Sequence, residues 1–205
     1  MDTLTLVDPD HDESFEHFVS LLGIEPRLSG TFSAGPKTSL QEAWDAWRQS
    51  LFLPLLAPSF LQAYDCGIRA RTQELQEIDQ NLDEKLPSSI RKRSVKAAAP
   101  FFEGKSQMQG NREWLKYQER VENGDTPGHL AIAFALQSAL YHVALIPALS
   151  SYAWFEFRSR EGKGISAAPT EEEVRIFAAI LPDVSVALSG ERDDSTGGEH
   201  SLRVL

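Results

Sequence analysis

The sequence of 205 residues predicts an all-α, single-domain helical bundle. Apolar side chains recur at helical spacing in almost every patterned segment, and no segment shows convincing strand alternation. The stretch from Leu130 to Leu149 is apolar nearly all round, which is typical of the buried central helix of a bundle. The length also suits one domain with a substantial core. We therefore expect an all-α bundle around a helix from Leu130 to Leu149.

Capping signals and prolines predict the helix boundaries of the first half of the chain. An apolar stripe in "SFEHFVSLLGIE" predicts the first helix. Ser39 and Glu42 form a capping box that starts the second helix, which Pro54 and Pro58 interrupt. A long amphipathic helix is expected from Ser59 to Leu82, with charged residues opposite its apolar stripe.

The second half of the chain continues the helical pattern. Pro87 starts a basic helix that is expected to break near Pro100, and the stretch from Asn111 to Glu122 predicts a shorter helix. After the central helix, a capping box formed by Thr170 with Glu173 starts a last helix, which Pro182 kinks or divides.

The expected domain organisation is simple. Residues 1–12 are predicted to form a flexible acidic N-terminus, and residues 13–189 the helical domain. Residues 190–205 have the composition of a disordered tail.

Composition restricts the class of protein. The formal charge of -10 argues against sequence-independent nucleic-acid binding, which depends on Lys and Arg neutralising phosphates. Cys66 is the only cysteine, which excludes an intramolecular disulfide and a thiolate zinc cluster. The N-terminus lacks the blocks of a signal peptide, and no apolar run approaches the ~20 residues that span a bilayer. We expect a cytoplasmic protein that binds neither nucleic acid nor membrane.

The stretch "LSGTFSAGPKTS" resembles a phosphate-binding loop but departs from it at one position. Gly30, Gly35, Lys37 and Thr38 have the residue types of that loop, whereas Pro36 is inserted before the lysine. Proline contributes no N–H and moves the lysine out of register, and the upstream segment is patterned as a helix rather than a strand. The sequence therefore favours a turn between two helices.

A metal site at the N-terminus is one possibility in the sequence. His11, Glu13 and His17 could share a divalent cation such as nickel or zinc, since Glu13 and His17 are spaced to share one helix face. We favour a solvated acidic N-terminus that stabilises the helix dipole, because nothing fixes a third ligand.

Residues that could act in catalysis do not form a recognisable constellation. His129 and His142 would lie about 220° apart on one helix, so they cannot chelate one ion from it. His142 is expected to be a core or interface histidine, and Cys66 a structural cysteine without a nearby base. Basic residues cluster in one run, which predicts a solvated helix face or a contact for an acidic partner: Arg91, Lys92, Arg93 and Lys96.

The predicted first helix leads into a proline, followed by a glycine, a phenylalanine–serine pair and another glycine. These residues are Pro26, Gly30, Phe32, Ser33 and Gly35. This order resembles the beginning of the UreF family of urease accessory proteins.

The resemblance continues through the central helix. "GHLAIAFALQSAL" is similar to the family's glycine–histidine pair followed by an apolar helix, at Gly128, His129 and Phe134. "ALSSYAWF" is similar to the following helix, with Tyr152 and Trp154 at its aromatic positions. The resemblance covers roughly Phe15 to Leu188.

The C-terminal part departs from the family pattern. Pro169 matches the proline of a proline–leucine–glycine–glutamine motif, but Thr170, Glu171 and Glu172 follow it. The preceding segment, small and apolar in the family, is here the polar stretch from Glu156 to Ser166. A divergent member, with a different or lost partner, is consistent with these changes.

The resemblance implies a non-enzymatic scaffold with no catalytic residue and no cofactor of its own. It implies a homodimer that binds a second accessory protein of the UreD/UreH type and recruits a UreG-type GTPase, for nickel delivery to urease. The residues it implies for partner binding are Pro26, Gly30, Phe32, Ser33, Gly35, Gly128, His129, Tyr152 and Pro169. Phe32 in particular is expected to be available for docking.

Two other functions remain open on the sequence. A helical bundle of the haem-oxygenase or thiaminase type could enclose a small molecule, with His129, His142, Tyr141 and Cys66 in its pocket. A general helical interaction protein unrelated to urease is the third reading.

Overall fold

The computed structural model describes residues 30–103, 111–161 and 169–194, and in these ranges it contains helices and no strands. The predicted all-α single-domain fold is confirmed. The helices in chain order are α1 (Leu40–Trp47), a π-helix (Arg48–Leu56), α2 (Ala57–Ile68), α3 (Thr72–Lys85), α4 (Ser88–Glu103), α5 (Arg112–Glu122), α6 (Leu130–Leu140), α7 (Leu145–Arg158), a 3-10 turn (Ser159–Glu161), α8 (Glu171–Ala178) and α9 (Leu181–Asp194).

The prolines of the first helices do not interrupt them, contrary to the prediction. Pro54 lies inside the π-helix, whose wide turn tolerates a residue without an N–H, and Pro58 lies in the first turn of α2. Leu40–Ile68 is therefore one continuous helical run of 29 residues. By length and composition alone this run could cross a membrane, although half of its most apolar stretch is buried inside the bundle. The expectation that no apolar run is long enough was wrong.

The helices predicted from Ser59 to Leu82 and from Leu130 to Leu149 are each divided by a turn whose left-handed residue is neither glycine nor proline. Ala70 (φ 56°) ends α2, where the Arg71 amide donates to the Cys66 carbonyl at 2.9 Å. His142 (φ 57°) follows α6 in the same way, where the Val143 amide donates to the Ser138 carbonyl at 3.0 Å. Both are helix C-termini with a left-handed residue, a position that usually carries glycine or asparagine.

The prediction of a buried central helix is confirmed for α6, which ends at Leu140 rather than continuing to Leu149. Every residue from Leu130 to Ala139 is buried. Helix α2 packs closely on it, since a Cβ built on Gly67 would lie 2.7 Å from Ala139 Cβ. The bundle thus surrounds α6, as the sequence indicates.

Prolines act differently in the later helices. Pro100 does not break α4, because the residues around it, Ala97, Ala98 and Phe101, are buried in the core and hold the helix. Pro182 does divide the last helix, since α8 ends at Ala178 and α9 begins at Leu181. The rest of the predicted C-terminal tail, after α9, lies outside the described residues.

Candidate functional site

The segment from Gly30 to Ser33 is held by the carboxylate of Glu156, a residue of α7 with no exposed surface. Glu156 Oε2 accepts hydrogen bonds from the Thr31 amide at 2.6 Å and the Phe32 amide at 3.1 Å. Its Oε1 accepts the Tyr152 hydroxyl at 2.9 Å. Burial raises the pKa of Glu156, against the opposing effect of these donors. Glu156, the first residue of the polar stretch, is therefore buried inside the bundle.

Arg93 of α4 also binds this segment, which is the first part of the loop of residues 30–39 that precedes α1. Its guanidinium donates to the Gly30 carbonyl at 2.7 and 3.0 Å, to the Phe32 carbonyl at 2.8 Å and to Ser33 Oγ at 3.2 Å. A Cβ on Gly30 would lie 2.2 Å from Glu156 Oε2, so a larger residue at this position would displace the buried carboxylate. The predicted solvated basic face is therefore incorrect for Arg93.

The loop does not have the structure of a phosphate-binding loop. The Thr31 and Phe32 amides, which a phosphate would need, already donate to Glu156. The Thr38 amide donates to the Gly35 carbonyl at 3.2 Å and α1 follows at Leu40, which agrees with the turn interpretation, whereas the helix predicted before the turn lies outside the described residues.

Phe32 lies in an aromatic cluster rather than on the surface. Its ring centroid lies 4.9 Å from that of Trp44, 5.9 Å from Trp47 and 6.0 Å from Phe157. Its side chain has no exposed surface. This corrects the expectation that Phe32 is available for docking. The exposed part of the loop begins at Ser33 and includes Gly35.

A second buried carboxylate, Asp79 of α3, holds the turn before α6. It accepts the Thr126 hydroxyl at 2.7 Å, the Gly128 amide at 2.7 Å, the His129 amide at 3.1 Å and the Tyr117 hydroxyl at 2.9 Å. Two of these donors are the glycine–histidine pair of the family resemblance. Gly128 and His129 are buried, so they shape the start of α6 and present no side-chain surface.

Gly128 offers a direct test of this turn. Its φ is +78° and a Cβ there would lie 2.9 Å from Val121 Cγ1, whereas Gly124 has the same φ and nothing within 4 Å. We expect Gly124→Ala to cost about 1–2 kcal/mol for the left-handed backbone, and Gly128→Ala about 1–3 kcal/mol more from overpacking. Urea denaturation of both variants measures the difference, and equal losses would contradict the crowding at Gly128.

The structure separates His129 from two other residues of the proposed small-molecule pocket, Tyr141 and His142. His129 precedes α6, and Tyr141 and His142 follow it, so the 11-residue helix separates them by about 16 Å. His142 is exposed, so it is not a core histidine, and the interface alternative stays a prediction. The His129 ring is buried with Nε2 3.1 Å from Asp83 Oδ1, and burial lowers the pKa of His129 although Asp79 and Asp83 oppose this.

Cys66 agrees with its structural interpretation. The residue is buried, and burial together with the charges of Glu74 and Asp65 raises the pKa of its thiol to about 11. A thiol with such a pKa is protonated near neutral pH and is a poor nucleophile.

The other predicted site residues are dispersed. Tyr152 is buried against Glu156, and Pro169 is half-buried at the start of α8. His11, Glu13, His17 and Pro26 lie outside the described residues. Within the described ranges, no group of three or more His, Cys, Asp or Glu residues could hold a metal ion.

The segment that departs from the family motif has a defined structural role. The predicted capping box of Thr170 and Glu173 is present at the start of α8. The Glu173 carboxylate also pairs with Arg158 at 3.5 Å and with Arg160. These contacts tie α8 to the end of α7.

A groove of about 540 Å³ lies beside the loop. The loop residues Thr31–Ser33, Gly35 and Thr38 form one edge, and α1 with the π-helix forms another. The end of α3 and the start of α4 complete it through Lys85, Pro87 and Ile90.

The fold and this site define an all-helical scaffold in which buried carboxylates fix two turns and a groove lies beside one of them. A family model, UreF, matches residues 37–158, which is more than half of the chain. The chain therefore belongs to the UreF family, a family of urease accessory proteins rather than of enzymes. Neither the curated proteins nor the solved structures contain a significant match to it.

Proposed function

We propose that this chain is a non-enzymatic scaffold for nickel insertion into urease. In this proposal it forms a homodimer in the cytoplasm, binds a second accessory protein of the UreD/UreH type and recruits a UreG-type GTPase. The observation that carries the proposal is the UreF match over residues 37–158, which includes both Asp79 and Glu156. GTP chemistry belongs to the partner.

The loop supports this proposal because its buried half is fixed and its exposed half is accessible to a partner protein. Glu156 and Arg93 hold its buried half, so the exposed half from Ser33 onward projects from a fixed base. A pre-organised loop loses little conformational entropy when a partner binds. In this proposal the buried residues of the predicted partner-binding set stabilise the surface that the partner contacts and do not themselves contact the partner.

Co-expression with urease and its accessory proteins tests the proposed function. The tagged chain is expected to retain both accessory proteins and to raise urease activity. Ala34→Trp, an exposed loop substitution, is expected to weaken their capture about tenfold, while Gln73→Trp on the exposed side of α3 leaves capture unchanged. A monomeric wild-type chain that captures neither protein would refute the proposal, as would tight GTP binding by the purified chain.

A further inference from the structure

The groove beside the loop has an apolar interior. Trp47 and Leu51 form buried parts of its wall, and Leu55 and Ile90 are half-exposed in it. The accessible wall of α1 and the π-helix is made of small side chains, which leaves space for the side chains of an occupant. These residues are Ala43, Ala46 and Ser50.

The charge of the groove is opposite to that of the chain. The chain has 30 acidic and 20 basic residues, yet Lys85 is the one charged residue among the described residues that line the groove. Lys85 is exposed and forms no ion pair within the described ranges. A carboxylate entering the groove would therefore meet an unpaired ammonium group and, in the part of the chain that the structure describes, no lining Asp or Glu.

The groove is also preformed on its loop side. Thr31 and Phe32, which line it, are held by Glu156, and Ser33 is held by Arg93. Trp47 Nε1 donates to Thr31 Oγ1 at 3.0 Å, which joins the loop edge to the helical wall. An occupant would not have to order this edge on binding.

We propose that this groove binds an amphipathic segment of a partner protein, with apolar side chains against Leu55 and Ile90 and a carboxylate paired with Lys85. The inference deepens the proposed function, because it assigns a surface and a partner chemistry to the same loop. Charge complementarity selects the acidic segment over a basic one, and the apolar interior selects a protein segment over a free anion.

Two labelled peptides test the chemistry without any accessory protein. Both carry the same leucine stripe, one with glutamates and the other with lysines on its polar face, and fluorescence anisotropy measures their binding to the full chain. The wild type is expected to prefer the acidic peptide about tenfold. Lys85→Glu is expected to weaken binding of the acidic peptide about fivefold and to strengthen binding of the basic one. Lys96→Glu, at an exposed position of α4, is expected to change the affinity for neither peptide.

Filling the groove tests its location. Ala46→Trp is expected to weaken the acidic peptide at least about tenfold, while Gln49→Trp, exposed but outside the groove lining, leaves it unchanged. Circular dichroism and thermal denaturation confirm that both variants fold. Equal affinity for the two peptides, or equal effects of the two tryptophans, would overturn the proposal.

The same variants separate this inference from the proposed function. If the wild type captures the accessory proteins and Ala46→Trp and Lys85→Glu capture them equally well, the groove inference fails and the function stands. If the wild type binds the acidic peptide through Lys85 but captures neither accessory protein, the function fails and the groove inference stands. Sedimentation that shows Ala46→Trp converting a dimer to a monomer would make the occupant a second copy and overturn the partner assignment.

Discussion

Replacing Glu156 with alanine is expected to lower the free energy of unfolding by about 3–5 kcal/mol. The substitution removes the acceptor of the Thr31 and Phe32 amides and of the Tyr152 hydroxyl, and these buried donors would lose their partner. It also leaves a cavity between the loop and α7. Urea denaturation followed by circular dichroism measures the loss.

The control for this prediction is Glu84→Ala. Glu84 is exposed on α3, and its removal is expected to change the free energy of unfolding by no more than about 0.5 kcal/mol. Comparable losses in Glu84→Ala and Glu156→Ala would show that the carboxylate does not hold the loop.

The pH dependence of stability gives a second measurement on Glu156. Because burial raises the pKa of Glu156 above its ordinary value of 4.5, the folded chain keeps this proton at pH values where the unfolded chain has lost it. Its contribution to stability is therefore complete below that value and declines as the pH rises towards the folded pKa. Glu156→Gln cannot ionise, so the wild type should lose stability relative to this variant over that range.

Replacing Phe32 with alanine is expected to cost about 3–5 kcal/mol of folding free energy. Phe32 is fully buried, and its ring lies in the aromatic cluster with Trp44, Trp47 and Phe157. The loss combines the removed apolar contacts with the cavity that remains. Thermal denaturation, together with tryptophan fluorescence as a probe of Trp44 and Trp47, measures it.

Ser33→Ala and Phe32→Leu complete this experiment. Ser33 is exposed and accepts one hydrogen bond from Arg93, so its substitution is expected to cost about 1 kcal/mol or less. Phe32→Leu retains much of the apolar volume and is expected to fold and to keep partner capture. A Phe32→Ala variant with wild-type stability and lost capture would instead make Phe32 a direct contact.

Local signals predict most of the helices correctly because those helices depend on local physics. Both predicted capping boxes, at Ser39 and Thr170, are present with their reciprocal hydrogen bonds. The apolar segment from Leu130 gives the central helix because it has no polar face to expose. The turns at Ala70 and His142 could not be predicted, since alanine does not favour the left-handed backbone and histidine, although enriched there, adopts it too seldom to mark a turn.

The buried carboxylates are the part of the site that sequence reasoning missed. Asp79 lies in a helix with many polar residues and Glu156 near the end of a largely apolar one, and nothing near them in the sequence shows that their partners are the amides of distant turns. A weak signal exists for Glu156, which stands between Phe155 and Phe157 with Tyr152 one helical turn before it. Gly30 and Gly128 were singled out from the sequence. The side chains that leave no room for a Cβ at these positions could be identified only in the structure.

The two carboxylate contacts also give an expectation for the order in which the chain folds. Glu156 and Thr31 are 125 positions apart in the chain, and Asp79 and Gly128 are 49 positions apart. Closing so long a loop costs entropy that is recovered only when α7 is already in place, so we expect the Gly30–Ser33 turn to form late in folding. Substitutions at this turn should therefore accelerate unfolding more than they slow folding. The turn near the groove thus contributes chiefly to the lifetime of the folded state.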